Sequence, residues 1–192
     1  MTSERGFSLV ELMISTAIML VAMAGIAGLL VQNSQVARGE QMSAQVQASA
    51  RSCLGMIVQV VRSAGWDPTN DGFPALTLDA APTTTSNFIE VFADLNEDGD
   101  KDDADEAVLI RWNGTRIEWR KSSTGPFVIL ADFIDNDADG DGTPETMFVP
   151  NSMTAPTSVT IRITARSPVV DPQTGNFIRY TVSSEVTLRD AI

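Results

Sequence analysis

The chain has no histidine, one cysteine and few positive charges: 13 Lys and Arg stand against 25 Asp and Glu, a formal net charge of −12. Without histidine there is no His-based triad, no imidazole general acid or base, and no His-ligated zinc. A lone cysteine, Cys53, closes no intrachain disulfide, so packing or another kind of cross-link must hold the fold. The negative balance argues against nucleic acid as a partner, because a binder must neutralise phosphates with Lys and Arg. Aromatic residues make up only 6% of the chain, poor support for electron conduction along stacked rings. A carboxylate-pair hydrolase finds little support, because the acidic residues cluster in loops and do not stand as two isolated groups. The expectation is that the chain is not an enzyme.

Charge is also scarce near the N-terminus. From Phe7 to Val31 only Glu11 is charged, in a run long enough to span a bilayer as a helix. A secretory signal peptide would have a basic start, a shorter apolar stretch and a small-residue cleavage site after it. A plain membrane anchor fits the length but gives Glu11 no purpose, and a charge inside a span is costly without a partner. A third reading is a helix that leaves the lipid and enters a polymer, where Glu11 meets a positive charge on a neighbouring subunit.

The stretch Gly6-Phe7-Ser8-Leu9-Val10-Glu11-Leu12 resembles the processing site of type IV prepilins and type II secretion pseudopilins. That resemblance implies cleavage by a prepilin peptidase between Gly6 and Phe7 and methylation of the new amine on Phe7. It also places Glu11 opposite the N-terminal amine of an adjacent subunit. The leader departs from the pattern in one respect: Glu4 offsets Arg5, which weakens the positive-inside argument for orientation. In the water-poor core of a filament an ammonium–carboxylate pair offsets much of the desolvation cost of Glu11 and favours one axial register over others.

Beyond the apolar run, Val46, Ala50, Cys53, Ile57, Val61 and Ala64 recur at spacings of three or four, one apolar stripe of a continuing helix. On that stripe Cys53 reads as a core residue. Gly65 and Asp67-Pro68 mark the stop. Gly25, Gly28 and Gly39 lower helix propensity; close helix contact, bending with local melting on assembly, and the ordinary occurrence of small residues in a membrane helix are all open as reasons for them. After Pro68 the segments FIEVFADL, AVLIRW, TRIEWR, FVILADF, SVTIRITAR and FIRYTVSSEVTLR read as strands. Asn113-Gly114 signals a hairpin that would place Trp112 and Trp119 on neighbouring strands as core. PVVDPQTG reads as the turn joining the last two strands. No repeat of solenoid length occurs.

The expected fold class is α+β, a long N-terminal helix laid on a mostly antiparallel sheet, as the resemblance to pilins also implies. The expected organisation is a leader at 1–6, a membrane or filament-core helix at 7–31 and an amphipathic continuation at 32–66. A β-rich domain at 67–192 follows, with acidic loops at 94–106 and 135–146. VRSAGWDP at the helix end and SSEVTLRD near the C-terminus resemble PilW-like minor pilins, relatives of the J-type pseudopilins of type II secretion.

More than half of the 25 acidic residues fall in or beside the two loops. Both carry a D-x-[DN]-x-D-G-D core, with oxygen ligands at positions 1, 3 and 5 and glycine at 6, the spacing of a calcium loop. In the first, the candidate ligands are Asp94, Asn96, Asp98, Asp100, Asp102 at position 9 and Asp105 at position 12. In the second they are Asp135, Asp137, Asp139, Asp141 and Thr143, with Glu145 substituting for the poor ligand Thr146 at position 12. Solvated acidic turns are the competing reading, since Asp and Gly favour turns anyway. Mutual repulsion among the carboxylates and the repetition of one spacing favour calcium at both loops, as the staple that a disulfide cannot be.

The expected function is a minor pilin subunit that is processed by prepilin peptidase and joins or primes a type IV pilus. The alternatives are a type II secretion pseudopilin and a tip-located adhesive or ligand-binding module. Expected partners are other pilin subunits, the peptidase, an inner-membrane assembly platform, and lipid before assembly. The expected location is the bacterial inner membrane, single-pass with the β-rich domain outside the cytoplasm, and then the pilus at the cell surface.

Overall fold

The computed structural model of the chain describes residues 8–70, 72–78, 87–101, 103, 105–122, 124–152 and 156–189. The leader, Gly6, Phe7 and Asp102 lie outside them. Helix α1 runs unbroken from Leu9 to Arg62, 54 residues, or about 80 Å at the usual rise. Its N-terminal half makes no core: Leu9 is 78% exposed and Ile18 65%. Its C-terminal half buries Val46, Ala50, Cys53, Leu54, Ile57 and Val61, the expected stripe with Leu54 added. The helix stops at Ser63, whose hydroxyl donates to the Val60 carbonyl, and Gly65 turns the chain with φ 76°. Gly25 and Gly28 face open space. At Gly39 an Asp171 oxygen lies 3.3 Å from where a Cβ would stand, so the turn around Asp171 comes up against the helix there.

The strands form two antiparallel sheets. One is a five-stranded meander of β1 (Leu76–Leu78), β2 (Phe88–Phe92), β3 (Ala107–Trp112), β4 (Arg116–Lys121) and β5 (Val128–Asp132). The other pairs β6 (Phe148–Pro150), β7 (Ser158–Arg166) and β8 (Arg179–Thr187). Alternation assigns the faces: Val159, Ile161, Ile163 and Ala165 of β7 all point into the core, and α1 lies over β7 and β8. The architecture is therefore α+β, with the long helix on antiparallel sheet.

Residues 133–136 join the two sheets. Ile134 forms an antiparallel bridge with Ala165, its N–H donates to the Thr115 carbonyl, and the Arg166 N–H donates to the Phe133 carbonyl. The β3–β4 hairpin turns at Asn113-Gly114, with Gly114 at φ 100° and the Asn113 side-chain oxygen accepting the Arg116 N–H. Trp112 and Trp119 are half-buried against the core, and the Trp112 indole donates to the Ile134 carbonyl at 2.9 Å. One buried cluster results, running from the α1 stripe through both sheets and including Ile134 at their junction.

Candidate assembly helix and acidic loops

Among the described residues, α1 is the one helix long and apolar enough to cross a membrane, and none of its apolar window is covered by the rest of the chain. Glu11 sits in its first turn, exposed, where a carboxylate is favoured by the unpaired N–H groups of the helix start. The apolar surface around it includes Val10, Leu12, Met13 and Ile14, all more than half exposed. Exposure on this scale is unsuited to water and suited to lipid or to other helices.

The first acidic loop connects β2 to β3. Asp94 is fully buried, accepting the Glu97 N–H on one oxygen at 2.7 Å and the Gly99 N–H on the other at 3.1 Å. Asn96 accepts the Asp98 N–H at 3.0 Å, and Asp98 accepts the Asp100 N–H at 3.2 Å. Glu106 closes the loop from the foot of β3, with Oε1 accepting the Leu95 and Asn96 N–H groups at 3.0 and 3.2 Å. One oxygen each from Asp94, Asp98 and Glu106 lie within 4.8 Å of one another. A cation with oxygen bonds of about 2.3–2.6 Å could touch all three. Asp105 points elsewhere and pairs with Lys121 at 2.9 Å, both exposed.

The second loop connects β5 to β6 and repeats these hydrogen bonds with Asp137 in the place of Asp94. Asp137 accepts the Gly140 N–H at 2.7 Å and the Gly142 N–H at 3.1 Å. Asp139 accepts the Asp141 N–H at 3.1 Å, and Asp141 accepts the Thr143 N–H at 2.6 Å. Left-handed residues fall at matching places, Glu97 and Gly99 in the first loop, Gly140 and Gly142 in the second. The shared frame thus starts at Asp137, two residues later than sequence spacing placed it. Glu145 Oε2 accepts the Ala138 N–H at 2.8 Å, the counterpart of Glu106 on Leu95.

Asp135 falls outside the repeated frame and is ion-paired with Arg179 at 3.0 Å, while the same guanidinium reaches Asp137 at 3.3 Å. Burial opposes ionisation of Asp137, but the N–H groups of Gly140 and Gly142 and the Arg179 charge outweigh it and hold its carboxyl below the usual range. Oxygens of Asp137, Asp139 and Asp141 also converge within 4.8 Å.

Sequence reasoning did not assign Glu106 a role. Two signals pointed to it. The residue that closes a calcium loop is normally a glutamate, and Asp105 has the shorter arm. Glu106 also stands next to the first residue of β3, where the backbone is fixed by the Ala93 N–H on the Glu106 carbonyl at 3.0 Å. An apolar groove of about 510 Å³ lies between α1 and the five-stranded sheet, lined by Met56, Val60, Ile110, Trp119 and Leu130 and bordered by Leu95 and Asp105 of the first loop. It holds one aromatic ring and adjoins an acidic loop, unlike the separate aromatic pocket that a ligand-binding module would call for.

Nothing among curated proteins or solved structures matches the chain. Residues 1–27 match the family described as the prokaryotic N-terminal methylation motif, which indicates a type IV pilin-like prepilin N-terminus.

Proposed function

We propose that the chain is a structural subunit, a minor pilin, that is cleaved after Gly6, methylated on Phe7 and drawn from the inner membrane into a type IV pilus. The observation that carries this reading is one helix with two different halves. The C-terminal half is committed to its own β-rich domain, and the N-terminal half presents bare apolar surface with Glu11 in the first turn. In lipid that surface is satisfied without partners; in a filament it packs on copies of itself or of other pilins, with Glu11 against a neighbouring N-terminal amine. Calcium held by acidic-loop carboxylates stabilises the head in the calcium-rich space outside the cytoplasm.

Mass spectrometry of the mature chain should find an N-methylated Phe7 as the first residue. A Gly6→Leu variant should stay uncut in the membrane. Glu11→Lys should be inserted and cleaved, because a lysine near the end of a span can extend to the interface, yet be missing from sheared filaments, where two positive charges would meet. Glu11→Lys subunits in pili at the wild-type level would end the pairing argument. Loss of secretion in place of loss of pili, on deletion of the chain, would assign it to a type II pseudopilus.

A further inference from the structure

The two loops have the same backbone frame but opposite surroundings. In the first, Glu106 is 2% exposed and its Oε2 has no hydrogen-bond partner among the described residues. It is not free to turn outward, because Oε1 is fixed by two backbone N–H groups. A buried carboxylate oxygen without a partner is rare and costly. No described ion pair reaches Asp94, Asp98 or Glu106; the nearby Lys121 is engaged by Asp105, and Lys101 lies over the Phe92 ring at 4.3 Å. The second loop has a guanidinium at its first carboxylate. Arg179 bonds Asp135 and Asp137, and its Nη1 stands 3.3 Å from where a Gly140 Cβ would be.

Resting on the calcium-stabilised head proposed above, we infer that a single divalent cation of calcium's size sits in the first loop on Asp94, Asp98 and Glu106, and that Arg179 takes the cation's part in the second. In the first frame the buried carboxylates are met by a metal; in the second a guanidinium already covers Asp137, the buried member, while Asp139 and Asp141 are exposed to water. An all-oxygen set of acidic groups on an irregular loop suits calcium better than magnesium, which demands strict octahedral geometry and keeps its waters. The location also gives the cation a mechanical task. The Asp94 N–H donates to the Trp66 carbonyl at 2.8 Å, Thr69 Oγ1 donates to Asp94 at 3.3 Å, and the Gly65 N–H donates to the Phe92 carbonyl at 3.0 Å. A metal on Asp94 therefore locks the exit of α1 to the end of β2, the joint through which a filament helix carries its head.

Calorimetric titration of the full chain in detergent, first stripped with chelator, tests this. Calcium chloride should bind with one equivalent per chain and raise the melting temperature by about 5 °C, with magnesium chloride doing less. Asp98 is exposed, and Asp98→Asn removes one charge from a mutually repelling cluster, so it should not lower melting in chelator while weakening calcium about tenfold or more. Glu106→Gln should weaken it in the same way; if that variant fails to fold, Asp98→Asn decides alone. Asp139→Asn should leave the titration as it was, and Arg179→Gln should open a second, weaker equivalent. A folded chain that takes up no calcium at millimolar concentration overturns both this inference and the calcium part of the proposed function. Two equal equivalents in the unaltered chain, or binding that survives Asp98→Asn and is lost in Asp139→Asn, overturns the assignment alone and leaves a calcium-stabilised head standing. No second equivalent in Arg179→Gln removes the arginine's role as internal counter-ion.

Discussion

Ile57 and Ile18 are the same residue type on the same helix, and truncating each to alanine should have different consequences. Ile57 is fully buried between α1 and the sheets, while Ile18 is 65% exposed on the apolar half of the helix, which the other described residues leave uncovered. Ile57→Ala removes three carbons from water-free surroundings, about 2.4 kcal/mol at 0.8 per methylene. A cavity left under a helix pinned at Val46, Ala50, Cys53 and Val61 collapses only in part, so the total should reach about 3–4 kcal/mol. Against a stability of about 5–15 kcal/mol that is a large loss, near 10 °C in melting temperature for a domain of this size. All three tryptophans, Trp66, Trp112 and Trp119, lie in the β-rich part or at its junction with the helix, so their fluorescence reports the melting of the head alone. Ile18→Ala should leave that transition unmoved and be felt only where α1 packs on other subunits. Equal shifts for the two variants, or a loss below about 1 kcal/mol for Ile57→Ala, would refute the division of the helix into a head half and an assembly half.

Burial pushes the Cys53 thiol up to about 12, so at pH 8 only about one part in ten thousand is thiolate; Ellman's reagent should not react with the native chain and should react fully in guanidinium. Trp112→Phe removes the indole bond to the Ile134 carbonyl at the junction of the sheets and should cost about 1 kcal/mol, measured by urea denaturation, with no change in processing. Asp132, held down by the Phe133 N–H and Arg116, and Asp137 both have lowered folded pKa values. Their contribution to stability is complete above the unfolded value of about 4 and fades as pH falls through the folded one, so melting temperature should be flat from pH 7 to 5 and drop below pH 4.

Where the pattern was long, the sequence was readable. Six apolar positions at helical spacing, Val46 to Ala64, are all buried, because a stripe of that length has one way to face a sheet. β7 was equally plain, nine residues of alternation with four of its odd-numbered positions in the core. The three-residue strands β1 and β6 were not visible, since LTL and FVP are too short to show a period. The division into two sheets could not be seen either. It depends on residues 133–136 crossing from Asp132 to β7 with a single bridge, Ile134 to Ala165, a long-range contact that leaves no local trace. Gly39 had three readings open, and the nearby Asp171 shows that what comes close is the chain's own β7–β8 turn.

The acidic loops show a limit of a different kind. Asp135-Asn-Asp137-Ala-Asp139-Gly140-Asp141-Gly142 is self-similar at a step of two, so a ligand template fits it in either of two registers. Composition cannot choose between them, because each register supplies carboxylates at positions 1, 3 and 5 and a glycine at 6. Backbone geometry can. The frame needs left-handed residues at its fourth and sixth positions, and glycine accommodates both only when Asp137 is first, with Gly140 fourth and Gly142 sixth. The first loop has a glycine only at the sixth, Gly99, and accepts the strain of Glu97 at φ 65° in the fourth. A register fixed in this way leaves Asp135 over, outside the frame and facing β8. There it is half of the pair of carboxylates that Arg179 neutralises, so the two-residue shift is what frees an acid to hold the arginine in place.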